Sequence, residues 1–205
     1  MVVIAAPPPD PRRRLSPQHV LLPADSELFR LFDPADSYRP GPTTFRDGGS
    51  TGRFDHLEPA DIGRRAIYYC SRTLEGAVAE TFGDRGIIQA GTKHLARVRP
   101  IRGLNLLDLR GRAAQPAGTV AGISMSDHPI AQQWSCYIWS TLSVYRAVDG
   151  ILYTSAHNGD DCVALYERAE GSLACPRGWE APLTDPDVYA TIAACANTLV
   201  VEPLP

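Results

Sequence analysis

The run Ala66-Ile-Tyr-Tyr-Cys-Ser71, followed one residue later by Thr73-Leu-Glu-Gly-Ala-Val-Ala-Glu-Thr-Phe82, changes period halfway. The first part is a short apolar run and reads as a buried strand. In the second part Leu74, Ala77, Val78, Thr81 and Phe82 follow the i, i+3, i+4, i+7, i+8 stripe of an amphipathic helix. Glu80 stands off that stripe, roughly 120° around the helix at ~100° per residue. A strand carrying Tyr68 and Tyr69 therefore feeds a helix whose carboxylate points away from its apolar face. If Tyr69 and Glu80 face one cleft at this junction, the unit is a candidate site.

Upstream, Glu27–Phe32 is a strand-like run with Leu28, Arg30 and Phe32 on one face and Phe29 and Leu31 on the other. An arginine among apolar strand residues is unusual. Residues 1–25 are Pro-rich and read as an N-terminal extension that wraps the domain or stays mobile, leaving residues 26–205 as the main domain. Residues 33–64 are a long loop region, and loops of this length in compact domains are usually functional. Downstream, 94–98 and 104–109 are expected strands around the Pro100–Gly103 turn. Asp127 or His128 is placed to cap a long helix through Val148, with Pro129 in its first turn. Ile151–Ser155 and Cys162–Glu167 read as strands joined by the His157–Asp161 turn. A short helix after Thr184-Asp185-Pro186 and a strand near 199–202 close the chain. Strands and helices mix without βαβ alternation, which predicts an α+β fold.

A chain of 205 residues buries enough apolar surface to fold without metals or disulfides. No stretch reaches the ~18–20 apolar residues needed to span a bilayer. The N-terminus does not have the pattern of a signal peptide. These readings predict a cytoplasmic protein without membrane association, with secretion by a signal-independent route as the alternative. The formal net charge of −3 argues against direct nucleic-acid binding, which usually needs a basic excess. Five scattered cysteines without C-x-x-C, and histidines without metal-ligand spacing, predict reduced thiols and no metal site.

Several segments carry chemistry only in combination. Gly48-Gly49-Ser50-Thr51-Gly52-Arg53 is a Gly-rich segment that ends in a phosphate-chelating side chain. It is neither a Walker A nor a dinucleotide fingerprint. Tyr69 alone reads as core, and Glu80 alone as a solvated carboxylate. Ser155 lacks a nucleophile elbow and reads as a strand-end serine. Ser135 follows Trp134 and reads as a packed mid-helix residue.

Their order carries more than any one of them. A strand arginine is followed by G-G-x-x-G-R-F, then I-Y-Y-x-S, then a helix with A-x-E, then D-G-I-L-Y-x-S and V-A-L-Y. Over about residues 28–167 this order resembles the RES domain family, toxins of bacterial toxin–antitoxin pairs partnered by an Xre-like antitoxin. The resemblance implies a split mixed β-sheet with flanking helices, similar to the diphtheria-toxin-like ADP-ribosyltransferases, built around an NAD cleft. It implies NAD consumption at the nicotinamide–ribose bond by glycohydrolase or phosphorylase chemistry. Protein ADP-ribosylation, a secreted NADase effector with an immunity protein, and a non-enzymatic binding module are the alternatives. By position, Arg30 and Arg53 correspond to the family's arginines, Tyr69 to its strand tyrosine, Glu80 to its glutamate and Ser155 to its serine. Trp134-Ser135 resembles a W-S segment of some members, so both serines stay open. Leu31 stands where some members carry tyrosine.

The chemistry implied needs a grip on pyrophosphate, a wall for nicotinamide, and negative charge near the ribose. Arg30, Arg53 and the backbone at Gly52 suit the first. Tyr69 suits the second. Glu80 suits the third, and Ser155 or Ser135 would orient the ribose or acceptor. NAD enters as substrate, and no metal is expected.

Overall fold

The computed structural model describes residues 4, 7, 14–38, 41–49, 51–56 and 65–204. In chain order the strands are β1 (His19–Leu22), β2 (Leu28–Phe32), β3 (Ile67–Ser71), β4 (Ile87–Ile88), β5 (His94–Pro100), β6 (Leu104–Asp108), β7 (Gly150–Thr154), β8 (Asp161–Tyr166), β9 (Leu173–Ala174), β10 (Glu180–Pro182) and β11 (Val200–Val201). The helices are α1 (Leu74–Phe82), α2 (His128–Ser140), α3 (Leu142–Tyr145) and α4 (Pro186–Ala194). The α+β class expected from the sequence is the observed one.

The main sheet runs β1-β6-β7-β8-β3-β2-β5-β10, with β9 also pairing to β5. Its pairs are antiparallel except β6–β7. A small parallel pair, β11–β4, lies apart. The sheet is continuous except at one place. β2 pairs with β5 through five residues and β3 with β8 through five, but β2 meets β3 only at Phe29↔Ser71. Beyond that point the two strands diverge, and the sheet is split. Helix α1 packs against β2, β3 and β8 and so bridges the two halves.

Period-two alternation gives each face its own core. On β8, Cys162, Ala164 and Tyr166 join Ile67, Trp134, Ile138 and Tyr145 on the α2 side. Val163 and Leu165 join Leu28, Phe32, Tyr68 and Val98 on the other. A strand covered on both faces reads as an unbroken apolar run, as C-V-A-L-Y does. A third cluster seats α1 against α4 through Val78, Phe82, Tyr189 and Ile192. The same alternation sends Tyr68 and Tyr69 to opposite faces.

Helix starts follow the expected chemistry. Thr73 caps α1, its side chain accepting from Gly76 N, and Asp185 caps α4 through Asp187 N and Val188 N. Asp127 occupies the cap position of α2 without a side-chain capping bond, and Pro129 sits in its first turn. Two expectations change. The single helix expected through Val148 breaks at Thr141 (φ −90°, ψ 66°), and α3 ends at Arg146 with φ 61°. Thr141, Ser143 and Val144 are weak helix formers, and the Tyr145 hydroxyl donates to Ala117 O at 2.8 Å. Residues 19–22, assigned to the N-terminal extension, form β1 on the edge of the main sheet against β6.

Candidate active site

The split between β2 and β3 opens a cleft of about 550 Å³. Phe29–Phe32 form one side and Ile67 with Tyr69–Ser71 the other. Helix α1 and the turn after it add Ala77, Glu80, Thr81 and Asp84, the Gly-rich loop adds Thr51–Arg53, and Asp33, Asp36, Arg46, Lys93, His128, Tyr153 and His157 complete the wall. Four expected residues, Arg30, Arg53, Tyr69 and Glu80, and Gly52 beside them therefore share one cavity.

Arg30 is buried on the core face of β2, as its strand position predicts. Its guanidinium lies 4.3 Å from the ring centroid of Tyr68, and Nη1 donates to Thr44 O at 2.8 Å. Stacking and a single carbonyl bond stabilise the buried charge. The thiol of Cys70 on the cleft floor is pushed up to about 12, chiefly by burial, and stays protonated.

The Gly-rich loop is organised by Asp55, which sequence reading missed. Asp55 Oδ2 accepts from Thr51 N at 3.0 Å and Gly52 N at 2.7 Å, and pairs with Arg46 Nη1. Oδ1 accepts from the Tyr69 hydroxyl at 2.8 Å, and that hydroxyl accepts from Phe54 N at 2.9 Å. Burial first, and Asp55 second, push the Tyr69 phenol well above its ordinary range. With its hydroxyl committed, Tyr69 has only its ring left for a ligand. Gly52 must be glycine: an added Cβ would lie 2.6 Å from Asp55 Oδ1 and 2.8 Å from the Tyr69 hydroxyl. Gln132 Nε2 of α2 holds Gly52 O at 2.9 Å, and Arg53 Nη1 donates to Ser126 O just before α2. Arg53 thus sits beside the positive end of a helix.

Glu80 is exposed and lines the cleft from α1. Ser155 Oγ donates to Glu80 Oε1 at 2.6 Å, and the Tyr153 hydroxyl reaches Oε2 at 3.4 Å. Burial, and then the Glu80 charge, hold the Tyr153 phenol well above its ordinary range, so it stays a donor. Ser155 itself accepts from His157 N at 3.2 Å. The second candidate serine is elsewhere. Ser135 is fully buried in α2, donates to Phe54 O at 2.6 Å and lies 3.2 Å from the Tyr166 hydroxyl. It supports the back of the Gly-rich loop; like Ser155, which is buried against Glu80, it is not among the residues that line the cleft.

The cleft carries charges of both signs. Arg30, Arg46, Arg53 and Lys93 line it, with Arg46 compensated by Asp55. Asp33, Asp36, Glu80 and Asp84 line it as well. Such a cavity suits a ligand with an anionic middle and a cationic end. Among the described residues, no group of three or more His, Cys, Asp or Glu side chains is placed to hold a metal ion. No helix of the described residues is long and apolar enough to cross a membrane.

Comparison with solved structures gives a match, at a TM-score of 0.57 and 14% identity, to a chain of the crystal structure of the M. tuberculosis MbcT–MbcA toxin–antitoxin complex. The match covers 85% of this chain and 92% of that one, so the two share a fold. No curated protein matches the sequence. The RES domain family model matches residues 27–184, from β2 and its arginine to the end of the main sheet. That span takes in the split sheet and every wall of the cleft, and the chain belongs to the RES domain family.

Proposed function

We propose that the protein is a toxin that consumes NAD by cleaving the bond between nicotinamide and ribose, and that a cognate antitoxin of Xre-like type holds it in check. The observation that carries this reading is Glu80, held by the buried Ser155, in one cleft with Arg30 and Arg53. NAD has an anionic pyrophosphate between its two nucleosides and a cationic nicotinamide at one end, which suits a cleft lined by charges of both signs. Arg30 and Arg53 bind pyrophosphate and ribose oxygens, with Gly52 allowing close backbone approach. Tyr69 supplies an aromatic wall for nicotinamide or the ribose edge. Glu80, held by Ser155 and Tyr153, meets the positive charge that develops on the ribose as nicotinamide leaves. Because its position is set before the reaction, little reorganisation is needed. Five free cysteines accord with a reducing compartment, and the cytoplasm is the proposed location. The toxin–antitoxin complex in which the neighbouring fold was solved supports an antitoxin partner, and the family resemblance supports its Xre-like type.

The test is incubation of the purified, partner-free protein with NAD, followed by phosphorus NMR with and without added phosphate. Release of nicotinamide with ADP-ribose or its 1″-phosphate supports the reading. Intact NAD, or label transferred from NAD to a protein in lysate, overturns it.

The two serines separate in the same assay. Ser155→Ala removes the hydrogen bond that orients Glu80 and is expected to lower turnover about tenfold or more, at the scale of ~1.4 kcal/mol per decade. Ser135→Ala leaves Phe54 O short of a donor. It should cost about 1–2 kcal/mol of stability and leave turnover within a few-fold of wild type. Thermal melts beside the kinetics check both.

A further inference from the structure

The main sheet ends at β1, which pairs with β6 on one side only. The register fixes which of its main-chain groups face outward. His19 stands opposite Leu107, Val20 opposite Leu106 and Leu21 opposite Asn105. Asp108 N donates to Gln18 O at 2.9 Å. In an antiparallel pair, hydrogen-bonded residues alternate with non-bonded ones, so Gln18, Val20 and Leu22 direct their N–H and C=O groups at β6. His19 and Leu21 turn theirs away from the sheet. Among the described residues, no backbone hydrogen bond reaches either of them on that side.

Proteins blunt such an edge with charge, proline or a bulge. β1 has no charged residue and no proline; Pro17 and Pro23 bound it and leave Gln18–Leu22 open. His19 adds no charge near neutrality, because burial first, and the Arg146 charge second, hold its imidazole below its ordinary range. Leu21 is 66% exposed and lies over Gly103, where an added Cβ would be 3.0 Å from Leu21 Cδ1. Ile101, 61% exposed, stands in the same β5–β6 connection. The chain just ahead of β1 is led off the edge. Ser16 N donates to Pro116 O at 3.0 Å, and Leu15 packs into the core on the α2 side. An uncharged, partly apolar edge is left uncovered by the described residues.

The outward groups sit two residues apart, on either side of Val20, and that spacing is its own complement. In a second copy related by a two-fold axis through Val20, His19 N–H meets Leu21 O and Leu21 N–H meets His19 O, and the symmetry repeats both bonds. Val20 then faces Val20 of the second copy as a non-hydrogen-bonded pair, with Cα atoms about 4.5 Å apart. Leu21 lies opposite His19 of the second copy and diagonal to its own counterpart, within reach of an apolar contact. In such an isologous contact each residue meets itself or a near neighbour, so a charged strand would repel its own copy and this uncharged one does not. We propose that β1 is a self-association edge: two copies of this chain pair antiparallel through His19–Leu21 and join their main sheets. This goes beyond the NAD reading and does not rest on it. β6, β7 and β8 lie between β1 and the split beside β3, and β1 contributes no residue to the cleft. One short strand buries less than a standard interface, and a weak, concentration-dependent dimer is the expected form.

The experiment is sedimentation velocity on the full chain, from micromolar to near-millimolar concentration, for wild type, Leu21→Lys and Leu21→Pro. Wild type is expected to move from monomer toward dimer across that range. Leu21→Lys sets two like charges on the diagonal of the pair. Leu21→Pro removes an outward N–H and no bond to β6, a position where an edge strand tolerates proline. Both variants are expected to stay monomeric throughout, and thermal melts of dilute samples near wild type show that they fold. Val20→Cys, treated with diamide, is expected to give a disulfide-linked dimer well beyond any formed by wild type with its five free cysteines. A wild type that is monomeric at every concentration overturns the proposal, including where the edge is found to take a strand of another protein instead. So does a dimer that survives either Leu21 variant, since survival in Leu21→Pro means apolar contact without strand pairing. Cross-linking of Val20→Cys no greater than wild type also overturns it. NAD left intact by wild type overturns the NAD reading alone.

Discussion

Glu80→Gln is expected to lower nicotinamide release from NAD about 10³-fold, the scale seen when a preorganised electrostatic group is removed. The substitution keeps size and an acceptor for Ser155 Oγ, which donates to Oε1 at 2.6 Å. Only the negative charge is lost, and on the proposed reading that charge acts chiefly in the transition state. The Michaelis constant should therefore move little while kcat collapses. Glu80 is exposed and lies off the apolar stripe of α1. Stability should stay within about 0.5 kcal/mol of wild type. Steady-state kinetics and a thermal melt on the same preparation test this. Turnover within tenfold of wild type would remove Glu80 from the mechanism.

Asp55→Ala is expected to have the largest effect on the fold, about 3–5 kcal/mol, the scale for breaking a buried ion pair by deleting one partner. Asp55 is completely buried and collects Arg46, Thr51 N, Gly52 N and the Tyr69 hydroxyl. Its removal strands the buried Arg46 charge and leaves two backbone donors of the Gly-rich loop without their acceptor. For a chain of this size the melting temperature should fall by about 10 °C. Replacing both partners by apolar residues, Arg46→Met with Asp55→Leu, should recover much of that loss, because no charge is then left unpaired. The double variant would still lose NAD binding, since nothing then holds the Gly52 backbone and the Tyr69 ring in place. Denaturant unfolding of the three proteins, with NAD titration of the double variant, checks both statements. A single variant as stable as wild type would show that the pair does not organise the loop.

Much of the architecture was legible where side-chain period reports burial directly. The Leu28–Phe32, Ile67–Ser71, Gly150–Thr154 and Asp161–Tyr166 strands and the helix carrying Glu80 follow from period and apolar runs. Shorter strands did not show, because two or three residues such as Leu173–Ala174 carry no period and exist only through the strand they pair with. The edge strand His19–Leu22 was hidden by its Pro-rich flanks. The break at Thr141 was hidden by an apolar pattern that continues past it, and weak propensity decided there only together with the pull of Tyr145 toward Ala117.

The site divides in the same way. Arg30 and Glu80 drew attention because each breaks its local pattern, a charge on a core face and a carboxylate off a stripe. Arg46 and Asp55 break none, since their partnership needs β3 to bring Tyr69 beside a loop 14 residues distant in sequence. The choice between Ser135 and Ser155 as the serine that orients the ribose or acceptor was open in the sequence, where both are serines beside buried segments. The fold places one against Glu80 and the other behind the loop. Sequence by itself determined which residues prefer strand or helix and which face each presents, because those preferences are local and set by backbone geometry and burial. Only the tertiary structure decided where the sheet splits and which charged groups face each other across the gap, because those contacts join segments that no local period connects.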